Sequence, residues 1–496
     1  MKYNILSLIA AACITTACFG IEDENYPELS PITITTKSDT INVQQGVMFS
    51  YSGLSVESAD DVSYEWVYGA PANGTKISDH KFSSYEVISK DAEINYTFPK
   101  IGTFLMRLKV DNGESILYHF FTLNVNASFD EGILVLNNAE DGKGQLSFIK
   151  TLTPEETEAG VQEFYDDIFG ASFKSYTLRN GTSMRMSYSN QSKYSAAGLL
   201  IATNDGEGTI YQIEPKTFEM TKASSMAEFE TCCKEFGGTY AAVGGFINYF
   251  VGANGHVFSY DYQIGYINDL SDIFPQNMER CIALVNRTSA TAATTDNFCA
   301  FGKDSFCNKA GTSSYTYTPD GYDVINIATI RTGTNSKASY ILTQSESEPD
   351  SYQILNSTVT NTMARPSAVK TLTSFTADRL CMDRSSKFVE TMNANDAYYT
   401  YDNAIYRWPL TSKPATTPSI KLPEGELIRD IATNFKGKEK GTEGEDLLYV
   451  VTYNPSRAGE KKGSLYIYRF SDETLVKSYE GIFYDPVSVI YKYRLS

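Results

Sequence analysis

The side chains able to do chemistry are few and scattered. The chain of 496 residues holds 3 His, at His80, His119 and His256, each far from the others. A Ser-His-Asp triad or an imidazole-based zinc site has almost nothing to draw on. No GxSxG, HExxH, GxxxxGK[ST] or strand-following GxGxxG occurs. Carboxylates are abundant: 60 Asp and Glu against 42 Lys and Arg, a net charge of −18. At that density, neighbours such as Asp60-Asp61 and Asp166-Asp167 arise by chance. A glycoside hydrolase needs two carboxyl groups about 5–10 Å apart in space, and adjacency in sequence does not supply that. The acidic balance also disfavours a nucleic-acid binder, which needs a basic footprint. No catalytic residue, metal ligand, cofactor or ligand-binding residue is therefore assigned.

The 8 Cys divide into two groups. Cys13 and Cys18 lie in the first 18 residues. The other six, Cys232, Cys233, Cys281, Cys299, Cys307 and Cys381, contain no CxxC, which argues against a zinc or redox motif. Cys299 and Cys307 flank a predicted hairpin with its apex near Lys303. They are the disulfide candidate, because that apex would set the two thiols opposite each other. Ser225-Met-Ala-Glu228 reads as a capping box. Phe229, Cys232, Cys233 and Phe236 follow at helical spacing, so the sequence predicts a helix ended by Gly237-Gly238, with both thiols facing a core.

The elements that would position any site are β-strands. Tyr at 35 and Phe at 27 against Trp at 2, with frequent Thr, Ser and Gly, is a strand-rich composition. Over residues 31–128 about seven short apolar alternations recur, separated by turns such as Asp111-Asn-Gly113. That density predicts a β-sandwich of immunoglobulin type, with Trp66 as the residue between the sheets. From 129 to 496 a different unit repeats: an apolar strand, a Gly, Asn or Asp turn, then a strand reading Gly-x-Ile/Leu-Tyr. Copies lie at 198–213, 249–260, 397–408 and 447–468. Weaker ones start near Gly132, Phe298 and Ser339. Seven copies of about 52 residues fit the four-stranded blades of a β-propeller. The strand at 487–494 is placed to complete the first blade. Thr153-Pro-Glu-Glu156 is a second capping box, and Val161, Phe164, Tyr165 and Ile168 predict one face of a short helix inserted there.

Two local features bear on binding. Asn204-Asp-Gly-Glu-Gly-Thr-Ile-Tyr211 is similar to the Asp-box of sialidase propellers, but lacks its leading Ser and does not recur; it is read as a hairpin turn. Tyr315, Tyr317 and Tyr322 flank Pro319-Asp-Gly321 and are read as one strand face, with a stacking surface as the alternative.

The N-terminus carries an address. Lys2 and the apolar residues 5–17 form an export signal too short to span a bilayer. Ile14-Thr15-Thr16-Ala17-Cys18 resembles a bacterial lipobox, which implies lipid attachment at Cys18; Cys13 is the rival acceptor. Glu22-Asp23-Glu24 in the tether at 19–30 resembles the surface-export signal of Bacteroidetes lipoproteins. Tyr64-Glu65-Trp66, then Tyr96-Thr-Phe98, then Gly102-Thr103-Phe104 leading into Leu108-Lys-Val110 resembles a PKD-like domain. With Glu131-Gly-Ile-Leu-Val-Leu136 and Asp141-Gly-Lys-Gly144 after it, the chain resembles a Bacteroidetes PKD-like family surface lipoprotein. That resemblance implies an all-β protein: a signal peptide at 1–18, an acidic tether, a PKD-like β-sandwich and a seven-bladed β-propeller. It further implies an outer-membrane, lipid-anchored accessory of SusC/SusD-type TonB-dependent transporters, facing outward. The expected function is non-catalytic capture of an oligopeptide or oligosaccharide. Sugar sites favour broad aromatic platforms, often Trp; only Trp66 and Trp408 exist, which tilts the expectation toward peptide. The alternative is a surface hydrolase or lyase using Asp or Glu. A SusD-type binder is disfavoured because those proteins resemble helical repeats.

Overall fold

The computed structural model describes residues 30–51, 53–158, 160–190, 195–242, 245–283, 298–310, 313–333, 336–360, 367–390, 396–434 and 447–494. Cys18 and nearly all of the acidic tether lie outside them. The chain divides into two compact units, with the main division between Val125 and Asn126.

In the N-terminal unit a five-stranded sheet runs in the order Thr40–Gln44, Ile116–Asn126, Gly102–Asp111, Ser63–Gly69, Glu86–Ser89. Thr33–Thr36 pairs with Leu54–Glu57, and Met48–Tyr51 with Ile94–Thr97. Alternation along each strand sends one set of side chains inward. Those of all three sheets meet in one core around Trp66, Phe98, Met106, Leu108 and Phe121. Trp66 is fully buried. It stacks on Phe121 at 5.8 Å, meets Tyr51 edge-on at 6.1 Å, and its indole N–H donates to the Asp91 carbonyl at 3.1 Å. Trp66→Ala is expected to destabilise this unit by about 3–5 kcal/mol, read as a shift of the urea midpoint followed by circular dichroism. A shift equivalent to less than about 1 kcal/mol would show that Trp66 does not organise the core.

In the second unit the described residues form seven four-stranded sheets, and their inner strands surround one channel. This is a seven-bladed propeller. Every repeat copy found in the sequence starts on the second strand of a blade: Gly132–Asn138, Ser195–Thr203, Gly245–Gly252, Phe298–Phe301, Ser336–Ser345, Ala397–Tyr401 and Leu447–Tyr453. These strands are apolar on both faces because neighbouring blades cover both, so they stand out as continuous runs. Asp485–Lys492 is the inner strand of the first blade and pairs antiparallel with Gly132–Asn138, closing the ring.

Three local expectations are corrected. The capping box at Thr153 is real: its backbone N–H donates to Glu156 at 3.0 Å, and its hydroxyl accepts from the Glu156 N–H at 3.2 Å. The helix it starts stops at Glu158, however, and Phe164–Tyr165 is the outer strand of the first blade. The helix expected over Cys232-Cys233 is a single turn, Ala227–Phe229, ended by Glu230 at φ 50°; Cys233–Ala242 is then an inner strand. Irregular pairing between Cys233 and Glu235, and again between Phe236 and Thr239, breaks strict alternation. A bulged strand of that kind imitates helical spacing. Both thiols are nevertheless buried.

The Cys299–Cys307 disulfide is overturned too. The hairpin forms, but Cys299 faces Asn308 and Ala300 faces Cys307. A one-residue offset puts the two side chains on opposite sides of the sheet. Cys299 packs with Phe301 and Ile327, Cys307 with Ala300 and Val251, and both are free thiols.

The closing strand carries a buried charge. Lys492 is almost wholly enclosed and donates to the Asp130 carbonyl at 2.6 Å. Burial pulls its pKa down to about 8, the carboxylates of Asp130 and Glu131 opposing and Lys150 reinforcing the fall. The unfolded chain therefore binds the extra proton between about pH 8 and 10.5, so stability rises with pH through that window. The full span is about 3 kcal/mol. Lys492→Met is expected to flatten this rise and to raise the melting temperature at pH 7. A melting curve whose pH dependence is unchanged in the variant would contradict the assignment.

Candidate functional site

The inner strands of a propeller must be narrow and poorly alternating, because seven of them crowd one axis. Here that axis is polar. The channel, about 290 Å³, is lined by Arg185 on Gly181–Asn190, Lys234 and Glu235 on Cys233–Ala242, Arg280 on Arg280–Ala283, Lys387 just before Phe388–Glu390, and Asp430 on Leu427–Thr433. Five blades thus supply its charged groups.

Glu235 is the hub. Its carboxylate accepts from Arg280 Nε at 2.6 Å and from Lys387 Nζ at 3.3 Å. Burial alone would raise its pKa, but the two cations outweigh that and bring it down to about 2. Asp430 lies 3.9 Å from Lys387 and accepts from the Val489 N–H at 3.0 Å. There burial prevails over Lys387, and the pKa rises. Burial lowers the pKa of Arg185, yet a guanidinium starts so high that it stays charged.

Above the channel opens a wider mouth of about 850 Å³, within the size range of ligand pockets. Lys234, Glu235, Arg280 and Lys387 line both spaces and so form the neck between them. One wall is the segment 378–387, which joins the fifth blade to the sixth. It is a built wall. Asp383 accepts from the backbone N–H groups of Ser385 and Ser386 at 2.8 and 3.1 Å, a tight turn closed by its own side chain. Arg280 Nη1 donates to the carbonyls of Arg384 and Ser386 at 3.3 and 2.9 Å. Asn326 Nδ2 donates to those of Asp383 and Ser386 at 2.7 and 3.0 Å. Arg384 in turn pairs with Glu279 at 3.3 Å. Apolar floor comes from Ile325, Tyr352, Leu380 and Met382.

Two residues singled out in the sequence, Phe236 and Cys281, line the channel; among the described residues, the carboxylates, tyrosines and tryptophans singled out there lie elsewhere. Asp166 pairs with Lys461 at 2.6 Å, and Asp167 accepts from the Gly170 N–H at the start of a one-turn helix. Asp205 closes the turn before Tyr211, taking the Thr209 hydroxyl at 2.7 Å, as a hairpin turn should. Tyr315 and Tyr317 share one exposed face of the outer strand Ser313–Tyr317. Trp408 is fully buried, its N–H donating to the Ser412 carbonyl at 2.9 Å, so neither Trp offers a surface to a ligand. The site residues were missed because they stand one or two blades apart in sequence, on or just before inner strands. A usable signal was present: charged residues (Lys234-Glu235, Glu279-Arg280, Lys387 and Asp430) at or just before the first strand of four of the seven repeats. Among the described residues no group of three His, Cys, Asp or Glu side chains comes together as a metal site.

No family model matches the sequence, and no curated protein is similar to it. Solved structures are. A quinonprotein alcohol dehydrogenase-like protein of Bacteroides thetaiotaomicron aligns at 13% identity with a TM-score of 0.50, over 94% of this chain and 100% of its own. The β-propeller domain of Cps50 (Swd1) from Myceliophthora thermophila aligns at 13% identity and TM-score 0.39, over 64% of this chain and 92% of its own. The first supports the propeller fold, and at this identity nothing beyond the fold.

Proposed function

We propose that the protein is a cell-surface lipoprotein that captures a nutrient oligomer at the mouth of its propeller and hands it to a SusC/SusD-type transporter. A lipid on Cys18 holds it to the outer membrane, facing outward, and the N-terminal unit is a PKD-like spacer. The observation that carries this reading is the mouth: an open cavity with an apolar floor, charged walls and a wall segment fixed by Arg280, Asn326 and Arg384. Pre-formed walls of this kind bind without paying for ordering on contact. Oligopeptide is favoured over neutral glycan because both Trp side chains are spent in cores and, among the described residues, Tyr352 is the only aromatic lining the mouth.

The test is equilibrium retention of a casein tryptic digest and of a mixed oligosaccharide pool by the full chain, with mass spectrometry of what is kept. Retained peptides that are lost in Arg384→Glu are the expected result; retention of neither pool would overturn the capture role. Crosslinking in membranes tests the partner: the reading requires recovery of a TonB-dependent transporter.

A second reading, a surface hydrolase or lyase, is favoured by one observation. Glu235 and Asp430 flank Lys387 with pKa values displaced in opposite directions, which is how paired carboxylates divide acid and base roles. Turnover of retained peptide or glycan that is abolished by Asp430→Asn, with binding kept, would establish it in place of simple capture.

A further inference from the structure

We infer that the propeller takes its peptide in one direction, with a free α-carboxylate drawn down into the neck against Lys234 and the amino end held at the rim. This rests on the capture reading above and gives it a polarity.

The argument is electrostatic and local. The chain as a whole carries −18, yet its channel is lined by four basic side chains against two carboxylates. Basic groups outnumber acidic ones along this channel, where the net negative charge of the chain would otherwise repel an anion. Low-dielectric walls strengthen any such charge. The cations are not equally engaged. Arg280 and Lys387 are both committed to Glu235. Lys234 stands beside them, exposed, on the same neck, and forms no ion pair among the described residues. It is the cation best able to meet an incoming anion.

The rim has the opposite sign. Outside the shared neck the mouth is lined by five carboxylates and only two basic residues. Glu279 is paired with Arg384 at 3.3 Å and Asp323 with Lys303 at 3.4 Å, whereas Asp350 and Asp378 are exposed and form no ion pair among the described residues. A cavity that is acidic above and basic below matches a zwitterion laid along its axis. A neutral oligosaccharide has no use for that gradient, and a polyanionic one would be repelled at the rim.

The experiment is titration calorimetry of the full chain with matched pentapeptides of one sequence chosen from the retained casein pool. They carry a free C-terminus, a C-terminal amide, or an N-terminal acetyl group. Oligogalacturonate is run beside them, and every titration is repeated with Lys234→Ala after its melting temperature is shown to equal that of the parent. The free acid is expected to bind about tenfold or more tightly than the amide, with Lys234→Ala erasing most of that gap and leaving the amide unchanged. The acetylated peptide is expected to lose a smaller factor. Equal affinity of acid and amide would overturn the inference while leaving peptide capture intact. Oligogalacturonate binding without peptide binding would overturn it and leave only the mouth. No binding of any probe would remove the capture reading as well.

Discussion

Truncation after Tyr484 is expected to abolish the cooperative unfolding transition of the propeller. The lost strand, Asp485–Lys492, pairs antiparallel with Gly132–Asn138 along its whole length, with one bulge at Val487. Val489 sits in the core shared with Ile133, Val135, Tyr449, Val451 and Leu465, and Tyr491 stacks on Tyr449 at 5.5 Å. Each buried aliphatic or aromatic side chain is worth about 1.5–3 kcal/mol. Val489 and Tyr493 are buried and Ile490 and Tyr491 half-buried, so together they reach a substantial part of the ~5–15 kcal/mol margin of a domain. The deletion also leaves the inner edge of the first blade unpaired and takes the Val489 N–H from half-buried Asp430. Broad, non-cooperative melting by circular dichroism is the expected result, with recovery of a sharp transition when the missing peptide is supplied in trans. An unshifted sharp transition in the truncated chain would mean the ring does not depend on its C-terminal clasp.

The second large effect belongs to Glu235. Glu235→Ala strands Arg280 and Lys387 in the neck with their shared counter-ion gone. Removing one partner of an enclosed ion pair costs about 3–5 kcal/mol. Arg280 would also be freer to release the 384–386 carbonyls it now holds, so ligand retention is expected to fall along with stability. The role of Glu235 should also show in the pH dependence of stability of the parent chain. Glu235 has a folded pKa of about 2 against 4.5 for an ordinary glutamate. A carboxylate whose pKa is depressed on folding contributes stability that is complete above about pH 4.5 and is lost as pH falls toward 2. The contribution is about 3 kcal/mol. Chemical denaturation between pH 6 and pH 3 should therefore steepen in the parent and flatten in Glu235→Gln. Parallel curves for the two proteins would contradict the role given to Glu235.

How much was legible in the sequence follows from which strands are regular. The second strand of each blade is covered on both faces, and its continuous apolar run marked all seven blades and the clasp. Ring architecture was readable for that reason. In the N-terminal unit Leu54–Glu57 and Glu86–Ser89 lie outside the alternations read from the sequence; each has only four residues, too few for a pattern to stand out. The segment 153–173 misled because a true capping box was followed by apolar residues at helical spacing, and the demand for a fourth strand in the first blade overrode local preference. Cys232, Cys233 and Phe236 misled through a bulge, and Cys299 with Cys307 through a register offset of one. The site was the least legible part. Glu235, Arg280, Lys387 and Asp430 are spread over nearly 200 residues of sequence, and only closure of the ring makes them neighbours.

The most direct measurement of the central claim is hydrogen exchange of the full chain with and without the casein tryptic digest. Capture at the mouth predicts slowed exchange confined to segment 378–387, the starts of Cys233–Ala242 and Arg280–Ala283, and the turn around Asp350. Slowed exchange on the outer strands of the blades or in the N-terminal unit, with the mouth unaffected, would contradict it.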